Sequence, residues 1–181
     1  MNFKDILNHT ELKQIEQVDN DLFLKILKIR NEKKIRENMV NQGIISEQDH
    51  IKWFNNQILN KTKKFFCIYY KLNLNGLISL DTNSKSWAFY ISSNSIKGLG
   101  AIVEYIFLNK VFLELIYKNI YCEVFDYNQR VLSLHKKFGF QKVATKKKFS
   151  KFLNKETDLI QLELSRERWN KIKKVLDKKF I

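Results

Sequence analysis

Ser95-Ile96-Lys97-Gly98-Leu99-Gly100-Ala101 joins a strand-like run, Trp87 to Ser92, to a long apolar segment carrying Ile102, Tyr105, Ile106, Val111 and Leu115. A strand, a short loop with two closely spaced glycines and then a helix is an arrangement that binds phosphates. Glycine lets the backbone approach an anion closely, and the first amides of the helix have no partner within it and point at that anion. The helix dipole adds partial positive charge at the same end. By itself the pair Gly98-x-Gly100 also fits a plain turn, so its meaning depends on what surrounds it.

Upstream, the periodicity is that of a meander. Phe65 to Leu72 is aromatic and β-branched and predicts a strand, Asn73-Leu74-Asn75-Gly76 a turn, and Leu77 to Leu80 the hairpin partner. Asp81 to Lys85 predicts a second turn before the strand at Trp87. Two helices precede these strands. Asp19 to Arg30 has Leu22, Ile26 and Ile29 on one face, and Ser46-Glu47-Gln48-Asp49 reads as a capping box before the stripe Ile51, Phe54, Ile58. Downstream, Ile120 to Phe125 predicts a buried strand, and Asn128 to Phe138 a helix that stops at Gly139. Phe140 to Lys147 and Thr157 to Leu164 predict a closing hairpin. Ser165 caps a final helix, 165–181, with Trp169, Ile172 and Leu176. The order implies an α/β fold whose sheet is interrupted by a crossover.

The chain of 181 residues fits one domain, 1–181, and 44% hydrophobic residues suffice for a packed core rather than a disordered chain. Cys67 and Cys122 lie in apolar runs without metal-type spacing, so they are expected as buried, reduced thiols, and no metal is expected. No secretory leader or membrane-length apolar run is present, which predicts a cytoplasmic protein without a membrane partner. The formal net charge of +14 raises the question of a nucleic-acid partner. Lysine is spread along the whole chain and is dense only at Lys146-Lys147-Lys148, a pattern that fits a solvated face better than a binding stripe. Such a charge also draws small anionic ligands by long-range attraction.

Asn128-Gln129-Arg130-Val131-Leu132-Ser133-Leu134-His135-Lys136-Lys137-Phe138-Gly139-Phe140 lies one strand after the glycine loop. The two segments together resemble the signature motifs of the GNAT N-acetyltransferases, R/Q-x-x-G-x-G/A and N-x-x-A-x-x-L-Y-x-K-x-G-F. The resemblance covers about residues 19–169. It implies a mixed, mostly antiparallel sheet flanked by helices and splayed between the fourth and fifth strands. It implies acetyl-CoA as co-substrate, held by Lys97, Gly98, Leu99, Gly100, Ala101 and Asn128, and an oxyanion-binding amide at Ile91 or Ser92. Two positions depart from the pattern. Ser95 stands where the first motif opens with Arg or Gln, and His135 replaces the tyrosine that protonates the departing thiolate in many relatives. His135 either takes over that proton transfer or packs on its helix face with Val131 and Phe138.

The N-terminal segments narrow the resemblance. Lys28-Ile29-Arg30-Asn31, Ile35-Arg36-Glu37-Asn38-Met39 and His50-Ile51-Lys52-Trp53-Phe54 are similar to the branch that includes the ribosomal-protein N-acetyltransferases. They are closer to the enzymes that acetylate the 4-amino group of a UDP-linked 4-amino-4,6-dideoxy sugar on the way to pseudaminic acid. That likeness implies a nucleotide-sugar acceptor bound by Arg30, Met39, Trp53 and Trp87, with Glu123 and Ser79 beside the reacting amine. Val40 departs from the aromatic residue found there in relatives. A lysine or arginine partner is the structural alternative for Glu123. A protein N-terminus as acceptor, or a non-catalytic domain binding coenzyme A or RNA, are the competing readings. A monomer or homodimer is expected.

Overall fold

The computed structural model describes residues 2–181. In chain order the elements are α1 (Phe3–Asn8), β1 (Thr10–Gln14), α2 (Asn20–Arg30), α3 (Lys33–Arg36), α4 (Glu47–Asn60), β2 (Lys63–Tyr70), β3 (Asn73–Asp81) and β4 (Trp87–Ile91). There follow α5 (Leu99–Asn109), one π-helical turn (Lys110–Glu114), β5 (Asn119–Phe125), α6 (Gln129–Lys137), β6 (Gln141–Ser150), β7 (Lys155–Ser165) and α7 (Arg166–Phe180). Hydrogen bonding sorts the strands into two sheets, β1-β2-β3-β4 and β5-β7-β6, so β4 and β5 belong to different sheets. The chain divides into two compact units, residues 11–96, and Lys97–Ile181 together with the N-terminal segment ending at Thr10.

In the unit of residues 11–96, side-chain caps start both long helices. Asp19 Oδ1 accepts the amide of Leu22 at 2.9 Å before α2, and Ser46 Oγ accepts that of Asp49 at 3.1 Å before α4. The stripes these helices bury meet the sheet at Phe23, Ile26, Phe54, Phe65, Cys67 and Leu77, with the Phe23 and Phe54 rings stacked 4.5 Å apart. β2, β3 and β4 are antiparallel neighbours, and Leu77 faces Cys67 on one side and Tyr90 on the other. The turn predicted at Asn73 to Gly76 falls two residues earlier. Lys71 and Leu72 make it with φ of 47° and 64°, and Asn73 to Gly76 already belong to β3. Two residues in the left-handed region form the turn whose twist suits a hairpin.

In the other unit, β7 pairs antiparallel with both β5 and β6. Its core gathers round Trp169 of α7, with Phe138 stacked on it at 6.3 Å and Phe112 at 6.4 Å. Gly139 ends α6 with φ +93°, where a Cβ would run into Ile172 and crowd Arg168. Only glycine fits both the torsion and the space. Cys67 and Cys122 are buried free thiols, as expected. Among the described residues no helix is long and apolar enough to cross a membrane, and no cluster of His, Cys, Asp and Glu could hold a metal ion.

Candidate active site

The glycine loop opens α5 as the motif requires. Gly98 is the N-cap at φ 89° and ψ −16°, a left-handed conformation that disfavours any side chain, and no side chain caps the helix. Its carbonyl accepts the amides of Ala101 at 3.1 Å and Ile102 at 3.3 Å. The amides of Leu99 and Gly100 come before the first of these bonds and are placed to take an anion. The first turn of α5 contains no acidic residue, Lys97 is exposed beside it, and Leu99 is buried and anchors the turn. These features fit the phosphates of acetyl-CoA.

Asn128 sits one element further on as the N-cap of α6, its Oδ1 receiving the amide of Val131 at 3.4 Å. His135, on the same helix, is only 3% exposed and its Nδ1 lies 2.7 Å from Oε1 of Glu104 on α5, which is fully buried. Burial by itself disfavours the imidazolium. The charge of Glu104, and then Cys122, outweigh that and raise the His135 pKa to about 10. Glu104 is absent from the sequence-level site, although a single carboxylate inside an otherwise apolar helix was the available signal. Glu123 on β5 is exposed and pairs with Lys146 Nζ at 3.0 Å, the structural alternative foreseen for it.

In the unit of residues 11–96, the end of β4 carries Ile91 and Ser92. The Ser92 amide donates to the Asn75 carbonyl at 2.7 Å, and its hydroxyl donates to Glu32 Oε1 at 2.7 Å. The Ser93 amide donates to Glu32 Oε2 at 2.7 Å. Burial alone would raise the Glu32 carboxyl; the Ser93 amide and the Ser92 hydroxyl prevail and hold it below the usual range. Successive amides of a strand point to opposite edges. Because that of Ser92 turns inward to β3, that of Ile91 points off the free edge of β4.

The same unit holds a cavity of about 550 Å³, within the range of small-ligand sites. Arg30, Met39, Trp53 and Ser79 all line it, so four predicted residues meet there. Trp87 does not. It is buried on the opposite face of β4, stacked on Phe89 at 5.3 Å, whereas Ala88 and Tyr90 face the cavity. A strand alternates its faces, so the position that lines the site is one residue away. Trp53 is 40% exposed and sits edge-on to Phe54 at 5.0 Å and to Phe65 at 5.4 Å, which fixes its ring against the core.

Two buried polar atoms in the lining have no partner among the described residues. Arg30 donates through Nη2 to the Asn41 carbonyl at 2.6 Å, but its Nη1 is unpaired. Burial lowers the Arg30 pKa, yet a guanidinium stays protonated at any physiological pH. His50, 4% exposed, leaves its Nε2 unpaired while the ring bonds the Phe23 carbonyl. Burial, reinforced by the Arg30 charge, lowers the His50 pKa to about 4, so the ring is neutral near pH 7. With its one proton on the nitrogen that faces Phe23, Nε2 is an acceptor. The cavity therefore offers a fixed cationic donor, a neutral acceptor, and the apolar surfaces of Met39, Trp53 and Tyr90.

Residues 12–160 match the family model of the acetyltransferase (GNAT) domain. No curated protein sequence matches the chain. Among solved structures, the spermidine N-acetyltransferase of Vibrio cholerae in complex with CoA and spermine superposes with a TM-score of 0.77 at 18% identity, covering 90% of this chain and 99% of that one. The N-acetyltransferase PseH of Campylobacter jejuni superposes with a TM-score of 0.65 at 16% identity, covering 87% of this chain and 98% of that one. Its complex with acetyl coenzyme A gives 0.64 at 18% identity, covering 86% and 98%.

Proposed function

The chain belongs to the GNAT acetyltransferase family, as an acetyl-CoA-dependent N-acetyltransferase, and we propose that its acceptor is the primary amine of a nucleotide sugar, the 4-amino group of a UDP-linked 4-amino-4,6-dideoxy sugar. The observation that carries this reading is the lining of the 550 Å³ cavity, where Arg30 Nη1 and His50 Nε2 are buried without partners beside flat apolar surfaces. A buried, unpaired donor and acceptor destabilise the empty site and are satisfied by a polar ligand. A nucleotide sugar supplies phosphate and carbonyl oxygens for Arg30, N–H or O–H groups for His50, and a base that stacks on Trp53. The family match runs through both compact units, which supports reading 1–181 as one catalytic domain.

The likeness to a spermidine acetyltransferase raises a second reading, a polyamine acceptor. At 16–18% identity both sets of neighbours speak only for the fold, so the cavity has to decide. A polyamine is a polycation, and Arg30 would repel it in a medium of low dielectric. The carboxylate in the lining, Asp49, is exposed and occupied with the Ser46 cap.

The reaction itself is direct. The acceptor amine, in its neutral form, attacks the thioester carbonyl carbon. The Ile91 amide takes the developing oxyanion, the carbon–sulfur bond breaks, and the amine's proton passes to solvent. Coenzyme A leaves as a thiolate of pKa roughly 8.5, judged by a free thiol, so the departure near neutral pH does not depend on a dedicated acid. Acetyl-CoA turnover against UDP-linked 4-amino sugars, polyamines and basic peptides tests the proposal, with turnover expected on the sugars. Turnover confined to polyamines or peptides would sink it.

A further inference from the structure

His135 stands where relatives carry a proton donor, and its surroundings argue for another task. Its Nδ1 is held 2.7 Å from Glu104 Oε1, Cys122 of β5 bonds the ring as well, and Phe140 packs on it with centroids 4.9 Å apart. The ring is 3% exposed. A proton donor has to reach the departing sulfur, and this imidazole is enclosed by a carboxylate, a thiol and an aromatic ring. An imidazolium whose pKa is raised to about 10 is, moreover, a weaker acid than the thiol it would be asked to form.

The partner of His135 shows what the pair does. Glu104 lies on α5, five residues beyond Leu99 and therefore about 7 Å from the amides that open the helix. Its carboxylate is fully buried, and Oε2 has no partner among the described residues, so His135 is the counter-charge shown for it. The two members sit on the two helices that carry the signature motifs, α5 with Gly98 at its start and α6 with Asn128 at its start.

We propose that His135 is a positioning residue, which through its buried ion pair with Glu104 fixes α5 against α6 and so sets the direction of the coenzyme-binding amides at Leu99 and Gly100. Without His135, Glu104 is a buried carboxyl with no counter-charge, and its relief by a shift of α5, by entry of water or by uptake of a proton breaks the link between α5 and α6. The first turn of α5 moves with it, and the amides no longer converge on the pyrophosphate. The inference rests on coenzyme A as ligand and is independent of the acceptor's identity.

The test is calorimetric titration of the full-length protein with coenzyme A, alongside thermal melting. His135→Phe is expected to weaken coenzyme A binding at least tenfold, measured well below the melting temperature. The double substitution Glu104→Gln with His135→Gln removes both charges and keeps a hydrogen-bonded pair; it is expected to bind within about threefold of wild type. Should His135→Phe not fold, His135→Gln alone leaves the same buried carboxylate and carries the same expectation. Coenzyme A affinity unchanged in the single variant overturns the proposal, whether His135 is then a proton donor or supports only the melting temperature. A double variant that binds as poorly as the single one overturns it too, because the pair would not be the cause.

Discussion

Acidification should destabilise the fold through one residue of the cavity lining, His50. Its pKa in the folded protein is about 4 against 6.5 for a free side chain, because burial, and to a smaller extent Arg30, disfavours the charged ring. The unfolded chain therefore takes up this proton first as pH falls below 6.5, while the folded ring stays neutral until about pH 4. Stability is lost across that window as pH drops and does not fall further from this group below it. The shift corresponds to about 3 kcal/mol in full, of which about 2 kcal/mol is lost between pH 7 and pH 5. For a domain of this size that is about 4–8 °C in melting temperature. The assay is thermal melting of wild type and His50→Gln at both pH values, read as the difference between the two drops. The ion-paired His135 has its pKa raised to about 10 and works in the opposite sense: its contribution is complete below pH 6.5 and is lost as pH rises through 10. It is common to both proteins and cancels. Equal drops in the two proteins would refute the argument that His50 is held neutral by burial, and a larger drop in the variant would reverse its sign.

Two further outcomes follow from named atoms. Arg30→Gln removes the cationic donor from the cavity but can keep a bond to the Asn41 carbonyl, so kcat/KM for the acceptor should fall at least tenfold with KM for acetyl-CoA unchanged in steady-state kinetics; equal loss for both substrates would count against a role in acceptor binding. Gly98→Ala forces a side chain into a φ of 89°, at about 1–2 kcal/mol for the torsion alone, and should weaken coenzyme A binding about tenfold by calorimetry; unaltered affinity would show that the loop does not hold the coenzyme.

The two helix starts that we propose hold the coenzyme were legible as structure because they are made of local backbone chemistry. Gly98 occupies the left-handed N-cap and Asn128 the cap of α6, and both roles depend on residues within four positions. The succession of strands from β2 to β7 along the chain could be read for the same reason, from period and turns, whereas the place of β7 between β5 and β6 could not. The first hairpin turn could not, because Lys71 and Leu72 carry none of the composition of a left-handed turn, while the nearby Asn-Gly pair does. The first helix α1 and the strand β1 were missed, being too short to show a period. The π-helical turn at Lys110–Glu114 continues the apolar run of α5 and leaves no mark in composition. Long-range partners were the least accessible. Glu104 meets His135 across 31 positions and Glu123 meets Lys146 across 23, and nothing in the separate segments fixes either pairing. Of the residues expected at the acceptor, Arg30, Met39, Trp53 and Ser79 line the cavity and Trp87 does not, since the alternation of β4 turns its side chain to the other face; the polar atom of His50 was not singled out.

The reading of the chain as an acetyltransferase of nucleotide-sugar amines is tested most directly by mass spectrometry of the acceptor after incubation with acetyl-CoA. Offered in parallel a UDP-linked 4-amino-4,6-dideoxy sugar, spermidine and a basic peptide, the protein should add 42 Da (~one acetyl group replacing one amine hydrogen) to the sugar nucleotide alone. An acetylated spermidine or peptide, with the sugar nucleotide left unchanged, would contradict it.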